Sequence, residues 1–173
     1  MEFKGTIVIT DPCYFAKDCD WDESGNFDYE DCTIHGLGFS DYIWMPTEIG
    51  DGSWSVFGLD ELTGQIELEK HVNKVLELES ALDSGKRLSV SKNELQNLQK
   101  KETVLGQFGV DSGTFGVFYL DEVLEYNPSF LSDIGNWCYT VIPDFKGNID
   151  VLECNEDRDF VILGVGNKTF YTR

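Results

Sequence analysis

The sequence predicts an α+β fold: a strongly bent antiparallel β-sheet or sandwich built from both ends of the chain, with an antiparallel helical hairpin inserted at residues 67–104 and projecting from it. Three observations carry this. Short β-rich runs, punctuated by Gly, Pro, Asn and Asp, occupy residues 1–66 and 105–173. Between them the apolar residues switch to helical spacing. The inserted segment is also electrically distinct. Residues 67–102 hold seven acids and seven bases, whereas the whole chain carries 32 acids against 13 bases and a net charge of −19.

The first element is "KGTIVITDP", a strand stopped where proline pushes Asp11 out of the helical region. Residues 18–31 hold seven acids in fourteen positions and read as a loop. "DYIWMP" and "GSWSVFGL" are two further short strands between Pro46, Gly50, Gly52 and Gly58. Leu68, Val72, Val75, Leu76 and Leu82 then recur at helical spacing, and "DSG" ends that helix with Gly85 as its C-terminal cap. A second helix begins at Ser91, where Ser91 and Glu94 form a capping box and Val90 with Leu95 a hydrophobic staple. Leu95, Leu98 and Leu105 make its stripe. His71 falls among charged residues and reads as part of a solvated face. Beyond residue 105, "GTFGVFYL", "WCYTVIPDF", "NIDVLEC", "DFVILGVG" and "KTFYTR" are strands, and "LDEVLEYNP" is one short helix ahead of Pro128. Trp54, Phe115, Val117, Phe118 and Trp137 are expected in the core.

Charge and cysteine usage bound the function. A surface of this sign repels phosphate and disfavours duplex DNA, but attracts a basic surface, including one built to hold nucleic acid. No apolar run approaches the length of a membrane span, and the N-terminus reads as a strand rather than a signal peptide. Five cysteines without a CxxC fit reduced thiols in the cytoplasm of a bacterial host cell better than a disulfide framework. Cys19, Cys32 and His35 come nearest to a zinc pattern, without the paired spacing zinc sites use. The Asp18, Asp20, Asp22 run lacks the glycine of a calcium loop.

"GVDSG" at 109–113 poses the sharpest question. It fails the register of a nucleophile elbow, no lysine follows to make a phosphate loop, and a catalytic triad would have to recruit His35 or His71. A turn is the better reading, with Gly113 at positive φ and Gly116 allowing close strand packing. The enzymatic alternative takes Asp11, Asp51 and Asp111, each at a turn beside a strand end, as a carboxylate cluster for Mg²⁺ or Mn²⁺.

The motifs "ITDPCY", "LGFSDYIW", "GDGSW", "GVDSGTFGVFYLDEVLEYNPSF", "WCYTVIPDFKGNIDV" and "GNKTFYT" together resemble a family of small, largely uncharacterised acidic proteins from Gram-positive bacteria and their phages. The resemblance covers both β regions and carries no catalytic residues. Phage-borne proteins of this size and acidity include anti-CRISPR proteins, a similarity of type rather than of motif.

Two functions follow as expectations. The first is an anti-defence inhibitor that occupies the basic nucleic-acid channel of a Cas9-type nuclease, or its guide RNA complex, as a nucleic-acid mimic without a cofactor. Its contact residues would be Asp18, Asp20, Asp22, Glu23, Asp28, Glu30 and Asp31, with Trp21, Phe27 and Tyr29 stacking on guanidinium groups. The second is a metal-dependent nuclease or hydrolase, acting for example on guide RNA through Asp11, Asp51 and Asp111.

Overall fold

A computed structural model of the chain describes residues 1–16, 39–46, 52–85, 89–153 and 160–173. In order these form β1 (Glu2–Thr10), a 3-10 turn (Pro12–Tyr14), β2 (Ile43–Pro46), β3 (Gly52–Gly58), α1 (Gln65–Asp83), α2 (Ser89–Gln99), β4 (Thr103–Val110) and β5 (Thr114–Tyr119). There follow α3 (Leu120–Tyr126), α4 (Phe130–Asp133), β6 (Tyr139–Glu153), β7 (Phe160–Gly166) and β8 (Phe170–Thr172). The fold is α+β. Eight strands make one antiparallel sheet in the order β2-β5-β1-β6-β7-β8-β3-β4.

The connection between β4 and β5 dictates the shape of that sheet. β4 is the eighth strand and β5 the second. In a flat sheet six strand spacings would separate them by about 29 Å. Residues 111–113 are the only link, and four Cα steps span at most about 15 Å. The sheet must therefore curl and bring its two ends together. It does so without closing, and Thr140 Oγ1 of β6 donates to the Gln107 carbonyl of β4 at 2.9 Å across the interior.

Curling gives the sheet an inside and an outside, and period-two alternation sorts the side chains. Every strand contributes to the interior: Phe3, Ile7 and Ile9, Met45, Val56, Phe108 and Val110, Phe115 and Val117, Ile142, Phe145 and Ile149, Ile162, and Phe170. Outside, one apolar patch is covered by the 3-10 turn, α3 and α4, and buries Val8, Phe15, Phe118, Val123 and Phe130. The other is covered by α1, which lays Leu68 and Val72 on Leu59, Val161, Leu163 and Tyr171. α2 packs on α1 through Val75, Leu78 and Leu95. The helical pair thus lies against the sheet through α1 instead of standing off it.

Several sequence expectations need correction. The helical segment ends at Gln99, and Thr103–Val110 is a strand. β-branched Thr103 and Val104 and the seat of Gly106 against Thr140 favour the pleated conformation there. Leu105, expected on a helix stripe, is an exposed residue of an edge strand. α2 begins at Ser89, two residues before the expected start. "WCYTVIPDF" and "NIDVLEC" are not two strands; residues 139–153 form one strand interrupted by a bulge. At the bulge Asp144 adopts φ 51. Asn167 holds it, donating from Nδ2 to the Asp144 carbonyl at 2.7 Å and accepting from Lys146 N at 2.8 Å. Proline and glycine near Asp144 mark that bulge, not a strand end. Gly85 does end α1 as expected, at φ 73, donating to the Leu82 carbonyl at 3.0 Å.

Candidate functional site

β1 runs out at Thr10, and Pro12 fixes the next step. The residue before a proline is held extended, and Asp11 has ψ 130. Its side chain then caps the 3-10 turn, Oδ1 accepting from Cys13 N at 2.8 Å. The same carboxylate reaches across to the link between β4 and β5. Oδ2 accepts from Asp111 N and from Ser112 N, both at 2.7 Å, and Oδ1 from Ser112 Oγ at 2.6 Å. Ser112 has spent its hydroxyl proton on Asp11, so Thr114 Oγ1, at 2.8 Å, is the donor of their mutual bond. Asp11 is fully buried. Four donors fill the lone-pair directions a carboxylate has, so its charge is compensated where water cannot reach it.

Around this clamp lie Cys13, Tyr14, Trp137 and Cys138. Thr10 Oγ1 donates to the Cys138 carbonyl at 2.9 Å, tying the start of β6 to the end of β1. Burial first, and then the Asp11 charge, push the Cys13 thiol far above its ordinary pKa. Burial raises Cys138 as well. Both are thiols at neutral pH, and a thiol is a poor nucleophile. The Tyr14 phenol is raised by burial and then by the Asp111 carboxylate, and stays protonated. Its buried hydroxyl makes no hydrogen bond of normal geometry.

Trp137 was expected in the core and is instead 53% exposed. Its ring rests on two glycines: a methyl group on Gly109 would stand 2.7 Å from it, and one on Gly135 2.6 Å. Tyr14 meets it edge to face with ring centroids 6.1 Å apart. The other expected core residues are buried, apart from Trp54, which is half-buried against the interior. Phe118 points outward, beneath the 3-10 turn, because β5 is covered on both faces.

Of the sequence-derived site residues, the fold brings Asp11 and Asp111 together, through the Asp111 backbone N–H. Asp51 lies outside the described residues, as do Asp18, Asp20, Asp22, Glu23, Asp28, Glu30, Asp31, Cys19, Cys32 and His35. The residues flanking the acidic segment do have a place: Phe15 and Phe39 pack ring to ring, 5.7 Å apart, on the outer patch under α3 and α4. Among the described residues no group of three His, Cys, Asp or Glu is placed to share a metal ion. The Asp11 oxygens face N–H and O–H donors, the opposite of what a cation requires.

A second polar cluster escaped the sequence reading. His71 is buried on α1, with Nε2 3.0 Å from Glu102 Oε1. Tyr171 donates to the same oxygen at 2.6 Å, and Arg173 Nη2 to Oε2 at 3.3 Å. Arg173 also pairs with Glu79 at 3.2 Å and lies 4.3 Å over the Phe57 ring. Burial pushes the Glu102 carboxyl up, but the bonds from His71 and Tyr171 and the Arg173 charge outweigh it, and the net shift is downward. The signal was present: His71 stands three after Leu68 and four before Val75, on the apolar face of its helix. This cluster ties α1 and the residue preceding β4 to β8. An open groove of about 460 Å³ also lies between Lys4, Tyr119 and Glu122, but Glu122 is already bonded by Ser40 N and Oγ at 3.1 and 2.5 Å.

Comparison with protein-family models, curated proteins and solved structures gives no match, so no residue takes its role from a relative. Among the described residues no helix is long and apolar enough to cross a membrane.

Proposed function

We propose that the protein is a non-catalytic binding protein that docks through its acidic surface onto a basic surface built to hold nucleic acid, and so excludes the nucleic acid. The observation that carries this reading is charge segregation. α1 and α2 pair their charges internally, as in Lys74 with Glu77 and Glu94. From Thr103 to Phe145 the chain has no Lys or Arg. That stretch nevertheless presents Asp111, Asp121, Glu125 and Asp133 at the surface. Phe15 and Phe39, which stand on either side of the seven further acids in sequence, pack together on the outer patch. A surface with a large excess of one sign attracts a complementary one quickly and in a salt-dependent way.

The resemblance to phage-borne proteins makes the guide and target channel of a Cas9-type nuclease the first partner to test. The saturated Asp11 carboxylate argues for architecture at the residue an enzyme would most need. Guide-loaded nuclease is incubated with this protein, Mg²⁺ and target DNA, and both nucleic acids are run on a denaturing gel. Uncut DNA with intact guide RNA is the expected result, relieved by added salt. Shortened guide RNA contradicts the reading in favour of a nuclease, and normal DNA cleavage rules out this target.

A further inference from the structure

We infer that Trp137, Asp111 and Tyr14 form an anchor for an arginine side chain of the partner; this rests on the acidic-docking reading and names the residue class it engages. Three observations converge. The indole of Trp137 is half exposed, yet it is seated on Gly109 and Gly135 and braced by Tyr14. An exposed tryptophan held this firmly presents a ring face at little entropic cost, which is how aromatic anchors work at interfaces. Asp111 follows two residues after Gly109. It is exposed, and its backbone is fixed by Asp11. Tyr14 completes the seat from within, its buried hydroxyl 3.2 Å from where a methyl group on Gly109 would stand.

A π-face beside a carboxylate is what a guanidinium seeks. Its plane stacks on the ring, and its forked N–H groups meet the carboxylate. A lysine ammonium would gain the charge but not the stacked plane. Charge supports the same occupant, since the stretch from Thr103 to Phe145 that carries Asp111 and Trp137 has no Lys or Arg. The site is also preorganised: the clamp that shapes the Asp111 turn and the glycine seats of Trp137 exist without any ligand.

The test is a titration of the full chain with an oligoarginine and an oligolysine peptide of equal length, at low salt. Wild type is expected to prefer oligoarginine. Trp137→Leu keeps apolar bulk without a π-face and should weaken oligoarginine by about 2- to 5-fold and oligolysine by less. Trp137→Phe should keep part of the preference, and Asp111→Asn should weaken oligoarginine more than oligolysine. Melting curves check that each variant is folded. If both peptides bind but Trp137→Leu keeps the wild-type preference, the anchor is wrong and the docking reading stands. If neither peptide binds wild type, both fall together.

Discussion

The carboxylate of Asp11 holds Ser112 by both its backbone N–H and its hydroxyl, across 101 positions of sequence. That pair closes the molecule. Ser112 lies in the short link that joins the eighth strand of the sheet to the second, and Asp11 stands at the end of the third. The buried charge is tolerated because every direction around it holds a donor. Removing it would strand several buried donors at once, each costing about 1–3 kcal/mol when unsatisfied.

Asp11→Ala should accordingly lower stability by about 3–5 kcal/mol, and Asp11→Asn by nearly as much, since its NH₂ group faces donors. Ser112→Ala should cost only about 1–2 kcal/mol. In a double-mutant cycle by urea denaturation the pair should couple by about 0.5–3 kcal/mol. Additive losses would mean that the two side chains act independently.

Glycines around the link separate conformational strain from steric exclusion. Gly113 sits at φ 70, a conformation that strains any other residue. Gly113→Ala should cost about 1 kcal/mol. At Gly116 a methyl group would stand 2.3 Å from the Ile43 carbonyl. Gly116→Ala should therefore be the more damaging of the two and loosen β2, seen as faster amide exchange in Ile43–Pro46. Equal melting temperatures for the two variants would contradict this.

Burial predicts opposite outcomes for two aromatics that the sequence grouped together. Phe118→Ala should cost about 3–5 kcal/mol, the usual penalty for emptying a buried aromatic site. Trp137→Ala, from a half-exposed position, should cost about 1 kcal/mol or less. Similar losses would place Trp137 in the core after all.

The buried Glu102 gives stability a pH signature. Its pKa is lowered in the folded chain by His71, Tyr171 and Arg173, against the upward push of burial. A lowered folded pKa contributes stability that is fully present above the unfolded carboxyl value, near pH 4.3, and is lost as pH falls through the lower folded value. Glu102→Gln should lower stability at neutral pH and flatten its decline in that acid range. Parallel wild-type and variant curves would show that another carboxylate carries the effect.

Much of this was legible locally. Asp-Pro at the end of β1, Gly85 closing α1 and Gly113 at positive φ are each set by neighbours in sequence, and each appears as expected. Partners set by topology were not legible. Nothing near residue 112 says that its hydroxyl will meet Asp11, because the contact exists only once the sheet has curled. β6 was divided because Pro143 and Gly147 imitate a strand end, while the Asn167 side chain that holds the bulge lies twenty-three positions beyond Asp144. Trp137 misled for a different reason: size and aromaticity predict burial, and an exposed, glycine-seated ring breaks that rule. His71 was missed although its helix position placed it on the apolar face, because the charges beside it in sequence lie on other faces.

Neutralising the acidic segment tests its share in docking. Replacing Asp18, Asp20, Asp22 and Glu23 by Asn or Gln should weaken partner binding several-fold and leave stability unchanged or slightly raised, since exposed pairs are worth only about 0.2–1 kcal/mol each. Wild-type affinity in the variant would move the contact to Asp111, Asp121, Glu125 and Asp133.

The most direct measurement of acidic docking is the affinity of wild-type protein for a guide-loaded Cas9-type nuclease as a function of salt, with and without competing target DNA. Docking predicts that the dissociation constant rises steadily with salt and that DNA and protein exclude each other. Binding that is indifferent to salt, or simultaneous occupancy by DNA and protein, would contradict it.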